Sequence, residues 1–289
     1  MALKCGIVGL PNVGKSTLFN CLSNAKAQSA NFPFCTIEPN IGLVPVIDER
    51  VDTLFKISKS KNKFYTTISF IDIAGLVSGA SKGEGLGNKF LSHIREVDAI
   101  IHMIRCFDSE KIQNVNSSID PIRDIETIET EMRLADLDSI EKRLNKKNKN
   151  KVNEVEFNIL KIAENLINTN QDLSELKQKF EPNDLKLSNL LSLKPRLYIC
   201  NVDEKSISNG NKYTDTFQKN FKEKDTIIIS AEIENQLNSL NNNEKKDYMN
   251  LSNIKITGLK NLIQKGYNLL NLETFFTSGE KETRAWTIK

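Results

Sequence analysis

The sequence predicts an α/β fold with a mainly parallel sheet, and three observations carry that prediction. An apolar run at residues 5–8 leads into Gly9-Leu10-Pro11-Asn12-Val13-Gly14-Lys15-Ser16 and out into a helix-like stretch from Thr17. Further β-rich apolar runs stand at 66–71, 99–104, 196–200 and 226–229. Between about 122 and 194 the composition changes to Glu, Lys, Asn and Leu with helical spacing, which marks an insertion.

The first element is the most specific. Residues 9–16 match G-x-x-x-x-G-K-[ST], a phosphate loop. A strand has to deliver this loop and a helix has to leave it, so that main-chain N–H groups and the helix N-terminus converge on anionic oxygens. Gly9 and Gly14 permit backbone geometry that a Cβ obstructs. Asn12, Val13, Gly14, Lys15, Ser16 and Thr17 are therefore expected to bind a nucleoside triphosphate. Lys15 reaches the β- and γ-phosphates, and the Ser16 hydroxyl is a ligand for Mg2+. Asn12 is also a candidate for holding a monovalent cation such as K+.

The next strand, 66–71, ends in Asp72-Ile73-Ala74-Gly75. An acid at a strand end opposite a phosphate loop can hold Mg2+ through water. The Gly75 N–H can bind the γ-phosphate and so sense its loss. A proline-containing loop at 30–40 carries Thr36, 20 positions after Ser16, whose hydroxyl can complete the Mg2+ shell. Lys15, Thr36 and Gly75 are the residues expected to carry catalysis. Position 76 is Leu, where many GTP switches place a glutamine that orients the attacking water, so hydrolysis must be slow or use another group. The Gly-rich stretch at 79–88 suits a segment released on hydrolysis.

The run 196–200 ends in Asn201-Val202-Asp203-Glu204. GTP switches end this strand in Asn-Lys-x-Asp, whose Asp carboxylate accepts a pair of hydrogen bonds from guanine. Here Val202 replaces the lysine and Glu204 stands in register for the acid. The extra methylene moves the carboxylate by more than about 1 Å, enough to spoil a paired bond. Adenine becomes the better expectation, with GTP kept open through Asp203 acting out of register. Ser230-Ala231, after the strand 226–229, fits the last base-side loop.

Asn201 lies 129 positions after Asp72, more than a minimal switch domain needs. The excess at 122–194 reads as three helical stretches: one through Ile125, Ile128, Met132 and Ala135 to Leu144, one from 152 to 167, and one from 184 to 193. The turn between the first two carries Lys142, Arg143, Lys146, Lys147, Lys149 and Lys151, a basic tip that can be a solvated hairpin end or a contact for RNA phosphates.

Composition sets bounds. At 289 residues, 39% hydrophobic and 27% charged, the chain has the balance of a soluble protein of about two domains. No apolar stretch approaches the ~18 residues that span a bilayer, and the first strand begins at once, so a cytoplasmic protein without leader or membrane contact is expected. Five scattered cysteines read as reduced core residues, and His93 and His102 lack partners at ligand spacing. A net charge of +3 decides nothing by itself.

With the loop 9–16, residues 31–40, 72–76 and 79–88, and Asn201 to Glu204 in order, the sequence closely resembles the YchF/Obg-like ATPase family, essentially end to end. The resemblance implies a G domain at 1–121 and 195–274, a coiled-coil arm at 122–194, and a C-terminal ubiquitin-like TGS domain. It also implies ATP preferred over GTP, association with the ribosome (50S or 70S), and an N-x-x-E base motif matched by Asn201 and Glu204. Residues 275–289 look like only the opening of the TGS domain, so the tail with Trp286 is expected to lack sheet partners. Asn114 stands where family members often carry a histidine, so catalytic help from that position is not expected. Two functional classes follow: an ATP hydrolase, and a nucleotide-gated ribosome-binding protein with negligible intrinsic hydrolysis. A small-molecule kinase leaves the paired switch segments unexplained.

Overall fold

The computed structural model describes residues 3–27, 40–74, 86–109, 118–145, 153–222, 225–252 and 254–288. In chain order these form β1 (Lys4–Val8), α1 (Lys15–Ala27), β2 (Ile41–Val46), α2 (Glu49–Ile57), β3 (Asn62–Phe64), β4 (Thr66–Asp72), α3 (Leu86–Glu96) and β5 (Ala99–Arg105). Then come α4 (Pro121–Leu144), α5 (Glu154–Asn168), α6 (Ser174–Lys179), α7 (Pro182–Leu187) and β6 (Arg196–Asn201). The chain continues through α8 (Lys212–Asn220), β7 (Thr226–Ile229), α9 (Ala231–Ser239), α10 (Asn242–Leu251), α11 (Gly258–Leu269), β8 (Glu273–Ser278) and β9 (Glu282–Ile288).

Two compact units result: one from residues 1–75, 97–122 and 195–289, the other from 76–96 and 123–194. The first is built on a six-stranded sheet in the order β2-β4-β1-β5-β6-β7. Only β2 runs antiparallel to its neighbour; the other pairings are parallel. Every residue of the central strand β5 is buried, as expected of a parallel strand covered on both faces. Its register sets Val8 beside His102, and that of β4 sets Ile7 beside Asp72. An aromatic cluster of His102, Tyr198, Phe217 and Phe221, with ring centroids 5.1–6.2 Å apart, packs against the middle of the β5–β6 pair. Cys5 and Cys21 lie in this core, where burial pushes their thiols up to about 12 and about 11. Both are inert thiols at neutral pH, in keeping with reduced core cysteines.

Helix α11 is fixed by a buried carboxylate. Glu234 of α9 accepts a hydrogen bond from the Gly258 N–H at 2.6 Å and so caps the start of α11. No side chain fits at Gly258, because a Cβ there meets Ile229 Cγ1 at 2.4 Å. Burial holds the Glu234 carboxyl above its ordinary value of 4.5, against the opposing pull of the Gly258 and Leu259 amides. A carboxyl whose native pKa is raised binds its proton more tightly in the folded chain. Its contribution to stability is therefore present below pH 4.5 and is lost as pH rises through the native value. Replacing Glu234 with Gln should remove that slope. In urea melts from pH 4.5 upward, the stability of the variant should improve relative to the parent as pH rises; parallel curves would contradict the assignment.

The tail corrects an expectation. Residues 275–289 were expected to lack sheet partners, yet β8 and β9 pair as an antiparallel hairpin and β9 also pairs in parallel with β3. The partner strand comes from the chain's own residues 62–64. The corner is pinned by Ser60, whose hydroxyl donates to the Gly279 carbonyl at 2.5 Å and meets the Thr283 hydroxyl at 2.8 Å. Trp286 stacks on Phe275 at 6.3 Å, both still well exposed.

The second unit has its own core, in which Ile140 of α4 meets Ile159, Leu160, Ala163 and Leu166 of α5 and Leu176, Leu185 and Leu190 beyond it. The stretch expected as a helix from 184 to 193 is broken. Helix α7 ends at Leu187, Asn189 takes φ 52°, and a short 3-10 turn follows at Leu191–Leu193. Asparagine tolerates this left-handed geometry and stops the helix. The turn is held by Asp136, fully buried on α4, whose carboxylate accepts from the Leu191 and Ser192 N–H groups at 2.8 Å each. Helix α3 groups with this unit and not with the sheet.

Candidate nucleotide site

The parallel topology gathers the ends of β1, β4, β6 and β7 along one edge of the first unit, where ligands of such sheets bind. At the end of β1 the chain turns through residues 9–14, with Asn12 at φ 63° and Gly14 at φ 96°, and enters α1 at Lys15. Two of the glycines are forced by space. A Cβ on Gly9 would stand 2.7 Å from the Met103 carbonyl oxygen, and one on Gly14 would stand 2.4 Å from Asn201 Nδ2.

Lys15 sits at the N-terminus of α1, and its ammonium forms an ion pair with the Asp72 carboxylate, both side chains largely shielded from solvent at 11% and 17% exposure. The β1–β4 register produces this meeting, since Asp72 stands beside Ile7 two residues before the loop. The Ile73 N–H donates to the Ile7 carbonyl at 3.2 Å and carries the pairing past the strand end. Ser16 is exposed and Thr17 half-buried on the first turn of α1. The donor set is thus one hydroxyl and one carboxylate, hard oxygens of the kind that bind Mg2+ while leaving room for water and phosphate.

Asn201 ties the site together. Its Nδ2 donates to the Val13 carbonyl at 2.8 Å, and its Oδ1 accepts from the Ala231 N–H at 3.0 Å. Its own carbonyl accepts from Cys106 N–H at 2.8 Å, and the residue is 4% exposed. The side chain expected to read the base therefore has both ends engaged in joining the phosphate loop to the loop after β7. Val202 is buried and its N–H donates to Ile229. Ser230 is buried, and its hydroxyl accepts from Ile233 N–H to cap α9.

The two acids after Asn201 are used differently. Asp203 Oδ1 accepts from both the Ser206 N–H at 3.0 Å and the Ser206 hydroxyl at 2.9 Å, capping the 3-10 turn Glu204–Ser206. Glu204 is exposed, and its Oε1 accepts from the Tyr248 hydroxyl of α10 at 2.8 Å. Sequence reasoning missed Tyr248, because a tyrosine in a polar helical stretch carries no signal that it reaches a residue 44 positions away. Thr36, Gly75, Leu76 and Asn114 lie outside the described residues. So do Lys146, Lys147, Lys149 and Lys151 of the basic tip. Of the rest of the tip, Lys142 pairs with Asp138, while Arg143 is held by Glu156 and donates to the Ser188 carbonyl at 2.6 Å.

A strand, a glycine-constrained loop and a lysine-led helix, facing an acid at the neighbouring strand end, define a phosphate-loop nucleotide-binding domain. Residues 4–134 match the family model described as "50S ribosome-binding GTPase". All of the chain aligns with the "Ribosome-binding ATPase YchF" of Haemophilus ducreyi at 49% identity, covering 81% of that protein, and with that of Bacillus subtilis at 44% identity, covering 82%. The structure titled "Structure of the Schizosaccharomyces pombe YchF GTPase" superposes with a TM-score of 0.80 at 36% identity, covering 99% of this chain and 80% of that one. The chain belongs to the YchF family. It spans about four-fifths of the length of these relatives. Among the described residues no helix is long and apolar enough to cross a membrane.

Proposed function

We propose that this chain is a Mg2+-dependent nucleoside triphosphatase that prefers ATP to GTP and acts as a nucleotide-dependent regulator on the ribosome. The observation that carries the base preference is the division of labour between Asp203 and Glu204. Asp203 Oδ1 caps Ser206 and ties that acid to its own turn, whereas Glu204 is exposed at the end of β6, which supports Glu204 as the carboxylate that meets a base. This supports adenine over the out-of-register guanine reading.

In this reading the main-chain amides of residues 12–17 cradle the phosphates and Lys15 leaves Asp72 to neutralise the β- and γ-oxygens. Ser16, Thr36 and, through water, Asp72 hold Mg2+. Bound Mg2+ supplies charge neutralisation on the transferring phosphoryl group. The Thr36 hydroxyl and the Gly75 amide sense whether the γ-phosphate is present. Val202, Ser230 and Ala231 line the base side. Leu76 offers no hydrogen bond to an attacking water, which favours slow intrinsic turnover. Asn12, in its left-handed turn, is the candidate holder of K+.

Competition of ATP against GTP for the Mg2+-loaded chain tests the preference: ATP should displace a bound fluorescent nucleotide at least tenfold more effectively, and the reverse order would overturn it. A second reading, nucleotide-gated ribosome binding with negligible intrinsic hydrolysis, is favoured by Leu76. It predicts phosphate release that rises only when ribosomes are added. The names of the relatives support a ribosomal partner. Because Arg143 is held within its own unit, a contact with ribosomal RNA would fall to Lys142, Lys146, Lys147, Lys149 and Lys151. The tail 275–289 is proposed as the opening of a TGS domain.

A further inference from the structure

We propose that Tyr248 is a positioning residue that sets base choice by holding one oxygen of the Glu204 carboxylate, which orients the group so that the other oxygen faces the base. The inference rests on the ATP reading above and names the device behind it. Guanine presents two adjacent donors, its ring N–H and its amino group, and a carboxylate discriminates for it by offering both oxygens at once. Adenine presents one amino donor beside a ring acceptor, and one carboxylate oxygen satisfies it. In this chain the Tyr248 hydroxyl donates to Glu204 Oε1 at 2.8 Å, leaving Oε2 without that constraint.

The arrangement answers a physical difficulty. Glutamate is longer than aspartate, and an exposed one has rotamer freedom that must be lost when it grips a ligand. A second contact that pins the carboxylate before the nucleotide arrives removes part of that loss, which is preorganisation. The backbone under Glu204 is already fixed, because Asp203 caps the 3-10 turn that Glu204 opens. The other side of the contact is fixed as well. Helix α10 starts in a capping box, with Asn241 accepting from the Glu244 N–H and Glu244 accepting from the Asn241 N–H. Its last turn is tied by the Ile254 N–H donating to the Met249 carbonyl at 2.8 Å. The phenol therefore approaches from a braced helix. Partial burial, then the neighbouring Glu204 carboxylate, push the Tyr248 phenol above its ordinary value, so it stays a donor throughout the neutral range.

The test is a set of full-length variants with ATP and GTP as probes in Mg2+, read as the ratio of the two dissociation constants and with melting temperatures recorded. Tyr248→Phe should lower the preference for ATP about five-fold, the size of effect that one ordinary solvent-accessible hydrogen bond controls. It should do so chiefly by improving GTP, since the carboxylate can then turn both oxygens to the base. In a Glu204→Ala background the same change should leave the ratio where Glu204→Ala alone puts it. A merely structural tyrosine would lower the melting temperature and weaken both nucleotides equally, and that outcome overturns the inference. So does an unchanged ratio in Tyr248→Phe when the parent prefers ATP and Glu204→Ala loses that preference; the ATP reading then survives alone. A parent that prefers GTP overturns both.

Discussion

Lys15→Ala should weaken ATP binding at least a hundred-fold while leaving the chain folded. Lys15 starts α1, where the helix N-terminus already favours anions, and its side chain is 11% exposed. In that partly dry setting a charge is worth several times its value in water. Losing it has a second cost. Asp72 loses the cation it pairs with before nucleotide arrives, so its carboxylate stands unneutralised as the phosphates approach. A hundred-fold loss corresponds to about 2.7 kcal/mol, well within what one buried charged contact supplies. Stability should also fall, by roughly 1–3 kcal/mol and short of unfolding the chain, because removing one partner of a largely shielded pair leaves the Asp72 carboxylate uncompensated. Titration calorimetry with ATP and Mg2+ checks the prediction. Binding by the variant at the parent's affinity would show that the phosphates do not sit in the loop at 9–14. Lys15→Arg should not restore affinity, since a forked guanidinium is larger and less compact than the ammonium this corner holds.

What could be read from the sequence follows from how local each signal is. The phosphate loop, the strand at 66–72 with its terminal acid, and the strands at 99–105, 196–201 and 226–229 all depend on residues adjacent in the chain, and the structure places each as expected. The pairing of Lys15 with Asp72 was implicit in two motifs and needed only the β1–β4 register to realise it. The misses are long-range. The partner of the tail was hidden because β3 is a three-residue strand, Asn62–Phe64, more than 200 positions before β9, and nothing in so short a segment announces a strand. In α4 the apolar positions Ile125, Ile128, Met132 and Ala135 are followed out of phase by Leu137, Ile140 and Leu144, although the helix is continuous. The residue at the slip is Asp136, a core position occupied by a carboxylate because it must hold the amides at 191 and 192. Hydrophobic periodicity cannot see a polar group buried for its hydrogen bonds. Tyr248 and Glu204 are the same kind of case at the nucleotide site.

Asn201→Ala should lower stability by about 2–4 kcal/mol and weaken ATP and GTP alike by at least tenfold. The asparagine at the end of this strand was expected to contact the base. Its position supports a different division of duties. At 4% exposure its amide nitrogen serves Val13 and its amide oxygen serves Ala231, so one side chain fixes the distance between the phosphate loop and the base-side loop. Truncation leaves a buried carbonyl and a buried N–H unmet, each costing ~1–3 kcal/mol, and opens a void beside Gly14, whose left-handed turn is moulded against that amide. The loop amides would then no longer be held in their converged arrangement, and phosphates common to both nucleotides would be gripped less well. Asn201→Asp should fail to rescue, because an acid keeps the acceptor for Ala231 but sets an anion against the Val13 carbonyl. The ratio of ATP to GTP affinity separates a brace from a base reader. A brace leaves the ratio unchanged while both affinities fall, whereas a side chain that reads the group at purine C6 must shift it. Denaturation by urea alongside the two binding titrations measures each part, and a variant within ~0.5 kcal/mol of the parent would show that the two loops hold their spacing without it.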